Sequence, residues 1–545
     1  MGMDMQRWVS GITIAVLFTG LLVSCDNQSK SRDKEDHRPE IGKDYVNPTG
    51  MPIVKEPITL RIFAGKSPTS NPDWNEVMLW QEYAQMTQIE TKFQMVPFDQ
   101  LSSRRNLVLA DGNYPDAFMT SRFSSADLLR YGQQGILIRL NDLIDEYAPN
   151  FKKLLDKYPE IRKGLTMPDG NIYSFPSFYD PDFMSMLIGY PIWAKEEWLD
   201  KLGMEPPETT DQFYEYLKAV KETDLNGNGK ADEVPFGAAG IGPLINHLKG
   251  AWGLGNRGLG HSRVDMDPET NELRFIPADA RYKEVLEYIH RLYSEGLIEK
   301  DVFTIKSSAL YANGATGIYG TMLVPSPFTL MNQKGYVGLP ALEGPHGDRL
   351  YSHVKTPLIH VGAFVITDRN PYPEATVRWI DYFFGDEGNK MFFMGIEGES
   401  YEETADGEFV YTDHILNSKD GRTLEQELSK YVVWLGGSYP GFVSRKYFKG
   451  SESLPESLEA AERVRPYVVK EIWPPFTYTQ EETERMSILS ADIHPYVDEM
   501  RARFINGSIS FNEWDNYVST LKQMGLEEYM SIYQSGYERY MQGAE

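Results

Sequence analysis

Between residues 58 and 119 the chain alternates strand and helix patterns across three strands, and this alternation limits the possible folds more than any other feature. The segment ITLRIF at 58–63 alternates apolar and polar residues as a half-buried strand does. A helical pattern over 74–87 leads to TKFQMV at 91–96, a second strand. A helix over 101–110 then leads to YPDAFM at 114–119, a short buried strand. Parallel strands need crossover connections, so a βαβαβ order predicts an α/β lobe with a largely parallel sheet. Ligands on such sheets sit beyond the carboxyl ends of the strands.

A chain of 545 residues is too long for one core, so a second lobe is expected. Further strands at 317–319 and 363–366 predict a return to the first lobe, which is then composed of 58–175 and 310–367. The helical, aromatic-rich 176–309 and the segment 368–500 form the expected second lobe. Residues 501–545 read as two packing helices. Trp514, Tyr517, Val518 and Leu521 share one stripe that Gly525 ends, and the last helix covers 526–541.

The chain has one cysteine, so it forms no internal disulfide and the position of that residue carries the information. Cys25 closes the apolar run VSGITIAVLFTGLLVSC at 9–25, which has the length of a signal-peptide core and is short for a membrane span. The residues LVSC at 22–25 resemble the bacterial lipobox, which implies a signal peptide over 1–25, cleavage before Cys25 and diacylation of its thiol. Arg7 is the only cation ahead of the apolar run, and Asp4 opposes it; translation from Met5 would remove Asp4. Residues 26–56 are rich in Ser, Asp, Lys, Glu, Gly and Pro and read as a flexible tether.

The formal net charge of −25 excludes a nucleic-acid partner, since phosphate recognition needs a basic face. A local Lys/Arg cluster inside a cleft is still compatible with an anionic ligand.

The most specific short motif is DLNGNGKADEVP at 224–235. Asp224, Asn226, Asn228 and Asp232 fall at loop positions one, three, five and nine, with Gly229 at six, matching the start of a calcium-binding helix–loop site. Alternate residues of a tight loop point inward, where a hard cation collects oxygens, and Lys230 would add its backbone carbonyl. The bidentate Glu of position twelve is replaced by Pro235; Asp232 and Glu233 side by side are the candidates to supply the missing oxygens. Residues TTDQ at 209–212 fit a capping box for the preceding helix.

Other motifs point away from catalysis. The glycines 253, 255 and 258 match a dinucleotide fingerprint in spacing, but no strand pattern precedes them. The nine His form no metalloprotease motif, and neither a nucleophile elbow nor a Walker A lysine motif is present.

The segments WLDKLG (198–203), PETTD (207–211) and 224–235 together resemble the family 1 extracellular solute-binding proteins of ABC importers. The likeness is to the Gram-positive lipoprotein branch related to alginate- and oligosaccharide-binding receptors. PDAF (115–118), LNDLIDEY (140–147), GIEGESY (395–401) and FING (504–507) agree, so the resemblance spans nearly all of the chain beyond residue 58. It implies a two-lobed periplasmic-binding-protein-like fold of type II-like topology, with a largely parallel sheet in each lobe and a hinge cleft between them. It also implies a monomer that binds an oligosaccharide without altering it, delivers it to the transmembrane subunits of an ABC permease, and touches the membrane only through its lipid. In alginate-binding relatives the matching loop holds structural Ca2+, so Asp224, Asn226, Asn228, Lys230, Asp232 and Glu233 are the expected metal residues.

Sugars stack on aromatic faces ringed by hydrogen-bonding groups. Aromatics near strand ends or within Gly- and Pro-rich segments are therefore the expected ligand contacts: Trp74, Tyr179, Trp252, Tyr319, Trp434 and Tyr439. A surface glycoside hydrolase or lyase, or a carbohydrate adhesin, stands as the alternative reading.

Overall fold

The computed structural model describes residues 43–66, 70–420, 422, 424–433 and 439–542. Cys25, the 1–25 segment and Trp434 lie outside the described residues. The strands, in chain order, are β1 (Ile58–Lys66), β2 (Ile89–Pro97), β3 (Ala117–Phe123), β4 (Phe175–Tyr179), β5 (Trp193–Lys195), β6 (Val234–Ala238) and β7 (Val264–Met266). They continue as β8 (Leu273–Phe275), β9 (Tyr319–Leu323), β10 (Tyr336–Gly338), β11 (Leu358–Ile366), β12 (Tyr401–Glu403), β13 (Phe409–Tyr411) and β14 (Gly441–Val443).

The βαβαβ reading of the first segment holds. β1 pairs in parallel with β2 over its full length, Ile58 opposite Ile89, and with β3 on its other side. The helix Met78–Thr87 makes the first crossover by burying Leu79, Trp80, Tyr83 and Thr87. It stops at Gln88, whose left-handed backbone (φ +60°) turns the chain directly into β2.

The first sheet has the order β14-β4-β11-β3-β1-β2, with β11 inserted antiparallel between β3 and β4. The second is smaller, β10-β5-β9-β6, and only β6 and β9 in it run parallel. A largely parallel sheet in each lobe thus describes the first lobe better than the second. In the second, β5 and β10 are short and enter beside the lobe junction, where direct antiparallel pairing needs no crossover helix.

The two main apolar cores locate the lobes. One collects residues 46–187 and 354–469, the other 192–342 and 473–533. The expected division is corrected at two places. Residues 310–353 belong to the second lobe, because β9 pairs with β5 and β6. Most of 368–469 belongs to the first, because Trp379, Phe383 and Tyr439 pack among Trp80 and Tyr83. Three connections therefore join the cores, at 188–191, 343–353 and 470–472.

The expected tether also ends earlier than residue 56. Val46, Ile53 and Val54 are buried, Ile53 N donates to Thr87 O, and Tyr45 Oη donates to the Glu374 carboxylate at 2.6 Å. Three apolar side chains in an otherwise polar stretch are enough to seat 43–56 on the first lobe.

The C-terminal helices Trp514–Gln523 and Leu526–Gln542, broken by Gly525 (φ +93°), complete the second core as their stripe predicts. The 26-residue helix Gln480–Ile505 was not anticipated, although its start is legible: Thr479 and Glu482 form a reciprocal capping box.

Candidate functional site

β1, β3 and β4 run in one direction and end at Lys66, Phe123 and Tyr179; β11, running the other way, begins beside them at Leu358. The register sets Gly362 opposite Phe123 and His360 opposite Ser177. Arg122, Tyr179, Asp180, Lys355 and His360 therefore gather at one edge of the first sheet, the carboxyl edge where ligands of such sheets sit.

This edge is built under strain. Thr120 and Arg122 both have left-handed backbone, φ +49° and +50°. For a β-branched residue that conformation is costly and persists only where its surroundings hold it. Buried Arg105 supplies the hold: its guanidinium donates to Ser121 O and Arg122 O at 2.8 and 2.9 Å, and pairs with Asp127 at 2.9 Å. Thr120 Oγ1 donates to Gly65 O. A side chain at 65 would meet Thr120 O at 2.7 Å, so only glycine permits that approach. The Arg122 guanidinium lies 3.9 Å from the centre of the Phe98 ring.

Burial raises the Tyr179 phenol and the Asp180 carboxyl and lowers the Lys355 ammonium. Burial, then the charges of Arg122 and Lys355, hold the His360 imidazole down to about 4. At the lobe junction the His247 and His353 rings stack at 4.0 Å, and Tyr190 packs its ring on both.

The expected aromatic contacts among the described residues are buried. Trp74, Tyr179, Trp252, Tyr319 and Tyr439 all lie in the cores. Trp74 stands edge-on to Phe93, and Trp252 leans on Tyr288. Tyr439 Oη donates to Phe383 O at 2.7 Å and its ring lies 3.7 Å from Phe392. Tyr319 Oη donates to the Glu299 carboxylate. Glycines make room for two of these rings: a Cβ at Gly237, on the neighbouring strand, would meet the Tyr319 ring at 2.6 Å, and one at Gly441 the Tyr439 ring at 2.4 Å. Glycine beside these rings makes room for core packing and does not mark an open ligand face. Of the five candidates among the described residues, Tyr179 alone lies at the sheet edge. Arg122, Lys355, His360 and Tyr190 were missed because nothing local in the sequence signals a strained strand end.

The acidic loop follows the helix Thr210–Glu222, whose Thr209 caps Gln212 N at 3.1 Å. The Gln212 side chain accepts from Glu208 N and not from the cap residue, so the box is displaced by one position. Asp224 accepts from Gly227 N, Asn228 N and Gly229 N at 2.8 to 3.1 Å. Asn226 Oδ1 accepts from Asn228 N, and Asn228 Oδ1 from Lys230 N. Asp232 accepts from the Asn226 and Asn228 amides. Gly227 and Gly229 supply the two left-handed turns, φ +78° and +86°. Glu233 is buried; its Oε1 accepts from Leu225 N and Asn226 N at 2.7 Å, fastening the loop's entry, and its Oε2 has no hydrogen-bond partner among the described residues. Among the described residues no three acidic or His side chains converge as a metal cluster. The loop's inward oxygens are those of two carboxylates, two amides and the backbone.

Burial of His261 and His360 has a consequence for stability. His261 bonds Tyr533 Oη and Pro474 O, and burial holds it down to about 4. An unfolded imidazole titrates near ~6.5. As pH falls, the unfolded chain takes up these protons first, so stability present above pH ~6.5 is lost as pH falls toward about 4. The melting temperature is expected to fall over that interval, and His261→Gln to flatten part of the fall. An unchanged slope in the variant contradicts the assignment.

Comparisons with known proteins agree with this architecture. Residues 67–390 match the family model described as bacterial extracellular solute-binding protein, and the chain belongs to that family. The fructooligosaccharide ABC transporter substrate-binding protein FusA of Streptococcus pneumoniae serotype 4 is 30% identical over 500 residues, 89% of this chain and 91% of that one. The polygalacturonan/rhamnogalacturonan-binding protein YtcQ of Bacillus subtilis is 22% identical over 84% of this chain and 87% of that one. Among solved structures, FusA of S. pneumoniae in complex with kestose superposes with a TM-score of 0.72 at 27% identity, covering 89% of this chain and 99% of that one. An HMO-binding, ABC-transporter-associated solute-binding protein of Bifidobacterium longum infantis shares the fold, with a TM-score of 0.75 at 21% identity, covering 89% of this chain and 99% of that one. Members of this two-lobed family bind solutes outside the cell, and no helix among the described residues is long and apolar enough to cross a membrane.

Proposed function

We propose that this protein captures an oligosaccharide between its lobes, at the edge carrying Arg122, Tyr179, Lys355 and His360, and delivers it unchanged to the permease of an ABC importer. The observation that carries this reading is that the likeness to the fructooligosaccharide receptor runs through both lobes and not through one segment. Strand ends, a strained Arg-bearing turn and three interlobe connections supply what a closing receptor needs: a polar surface on one lobe and a hinge to the other. Calorimetric titration with fructooligosaccharides and with galacturonan fragments tests it. Saturable binding of at least one, with the ligand recovered at full length, is the expected result. A shortened ligand would establish the hydrolase or lyase alternative, and no binding of any oligosaccharide would refute capture.

The loop from Asp224 to Glu233 holds a structural calcium ion in this reading, through Asp224, Asn226, Asn228, Asp232, the Lys230 carbonyl and Glu233 Oε2, which is buried without another partner. Two features support it. The amide hydrogen bonds around Asp224 curl the loop in the manner of a calcium loop. In addition, one solved form of FusA is described as an EF-hand mutant. Calcium there would tie the end of the helix Thr210–Glu222 to β6 and neutralise two carboxylates. Glu233 also fastens the loop's entry through Oε1.

Attachment to the outer face of the membrane is assigned to a diacylated Cys25, from the lipobox-like LVSC. Cys25→Ala is expected to move the protein from the detergent phase to the aqueous phase on partitioning. Unchanged partitioning contradicts the anchor.

A further inference from the structure

A cavity of about 210 Å3 lies inside the second lobe, between the helices Ile241–Leu248, Ala280–Ser294 and Gln480–Ile505. Its polar lining is Asn246, Lys249, Arg263, Tyr282, Asp498 and Arg501. Three cations thus face one carboxylate, inside a chain whose formal net charge is −25.

The pairing within the lining is incomplete. Lys249 is 1% exposed, and its ammonium donates one hydrogen bond, to Ser262 O at 3.0 Å. The nearest acid acting on it is Asp265, and Arg274 already holds that carboxylate through two contacts of 2.9 Å. Arg263 and Arg501 share the remaining acid, Asp498, at 3.2 and 3.1 Å. Arg501 Nε is buried without an acceptor, and the Asn246 side-chain amide makes no hydrogen bond among the described residues. Burial lowers the Lys249 ammonium to about 8, the mark of a cation not fully compensated within the fold. A buried cation short of partners is strongly unfavourable unless something offsets it. A guanidinium fork, an ammonium, a phenol and an amide around a common space form a donor set that matches a planar or tetrahedral oxyanion.

We propose that this cavity binds one small oxyanion, a carboxylate or phosphate group on a body no larger than a single sugar ring. The size follows from the volume, which is below the ~300 Å3 of ordinary ligand pockets yet several times the ~30 Å3 share of one water. The site does not depend on the oligosaccharide reading: none of its lining residues lies at the strand-end edge of the first lobe.

Calorimetric titration of the full chain with sodium phosphate and with galacturonate, against chloride at matched ionic strength, tests the proposal. Saturable binding of at least one anion is expected, weakened about tenfold or more by Arg501→Gln and by Lys249→Met. Phosphate binding alone assigns a free inorganic anion, and galacturonate binding alone assigns a sugar acid. Arg501 is partly exposed, so Arg501→Gln keeps the test decisive if Lys249→Met does not fold. Heats no larger than those of chloride for both anions, or undiminished affinity in Arg501→Gln, would overturn the proposal.

Discussion

Trp379→Ala is expected to lower the unfolding free energy by about 3–5 kcal/mol, the usual cost of removing a fully buried large aromatic. Trp379 sits on the helix Pro373–Asp381 between Trp80, stacked at 5.4 Å, and Phe364 of β11 at 6.0 Å. Its backbone carbonyl accepts from Tyr83 Oη at 2.7 Å, which ties this helix to Met78–Thr87. Deleting the indole opens a void that rings on both sides cannot fill without leaving their rotamers. The indole Nε1 is buried without an acceptor, so Trp379→Phe loses volume and no hydrogen bond. That variant should retain well over half of the lost stability in chemical denaturation. Equal losses for the two variants would contradict the packing account.

The second large effect is expected at the acidic loop. With calcium at a hundredfold excess over its dissociation constant, a single native-state site stabilises by about 2.7 kcal/mol. Chelation should therefore lower the melting temperature. Asp224→Ala should remove both that response and the acceptor of three backbone N–H groups. The latter loss costs a further ~1–2 kcal/mol even without metal. Glu233→Gln should destabilise the loop's entry, where Oε1 accepts from Leu225 N and Asn226 N, and weaken the calcium response by removing the charge of the unpaired Oε2. Melting that is indifferent to calcium and chelator alike would contradict the calcium assignment.

The parts of the fold carried by local pattern were readable in advance. The alternation of ITLRIF, the crossover helices, the Gly525 break and the loop glycines each impose their conformation over a few residues. Lobe membership was not readable in that way. β9 joins the second sheet because Val234 and Phe236 of β6 lie opposite Tyr319 and Thr321, a pairing across more than eighty residues that no local period encodes. The burial of the aromatic candidates was not readable for a related reason. Aromatics beside glycines look alike in sequence whether the glycine exposes the ring or lets it pack; Tyr439 over Gly441 is of the packed kind, and Tyr319 packs on Gly237 of the neighbouring strand, which no local pattern reveals. Of the groups at the strand ends, Arg122 owes its backbone to Arg105, held to β3 by tertiary contact alone.

Solution scattering of the protein, free and saturated with the oligosaccharide that binds in titration, tests most directly whether it is a closing receptor. Ligand bridging the Arg122–His360 edge and the facing lobe favours the closed form, because it contacts both lobes only there. A smaller radius of gyration with bound sugar is the predicted result. An unchanged radius at saturation would contradict capture by lobe closure.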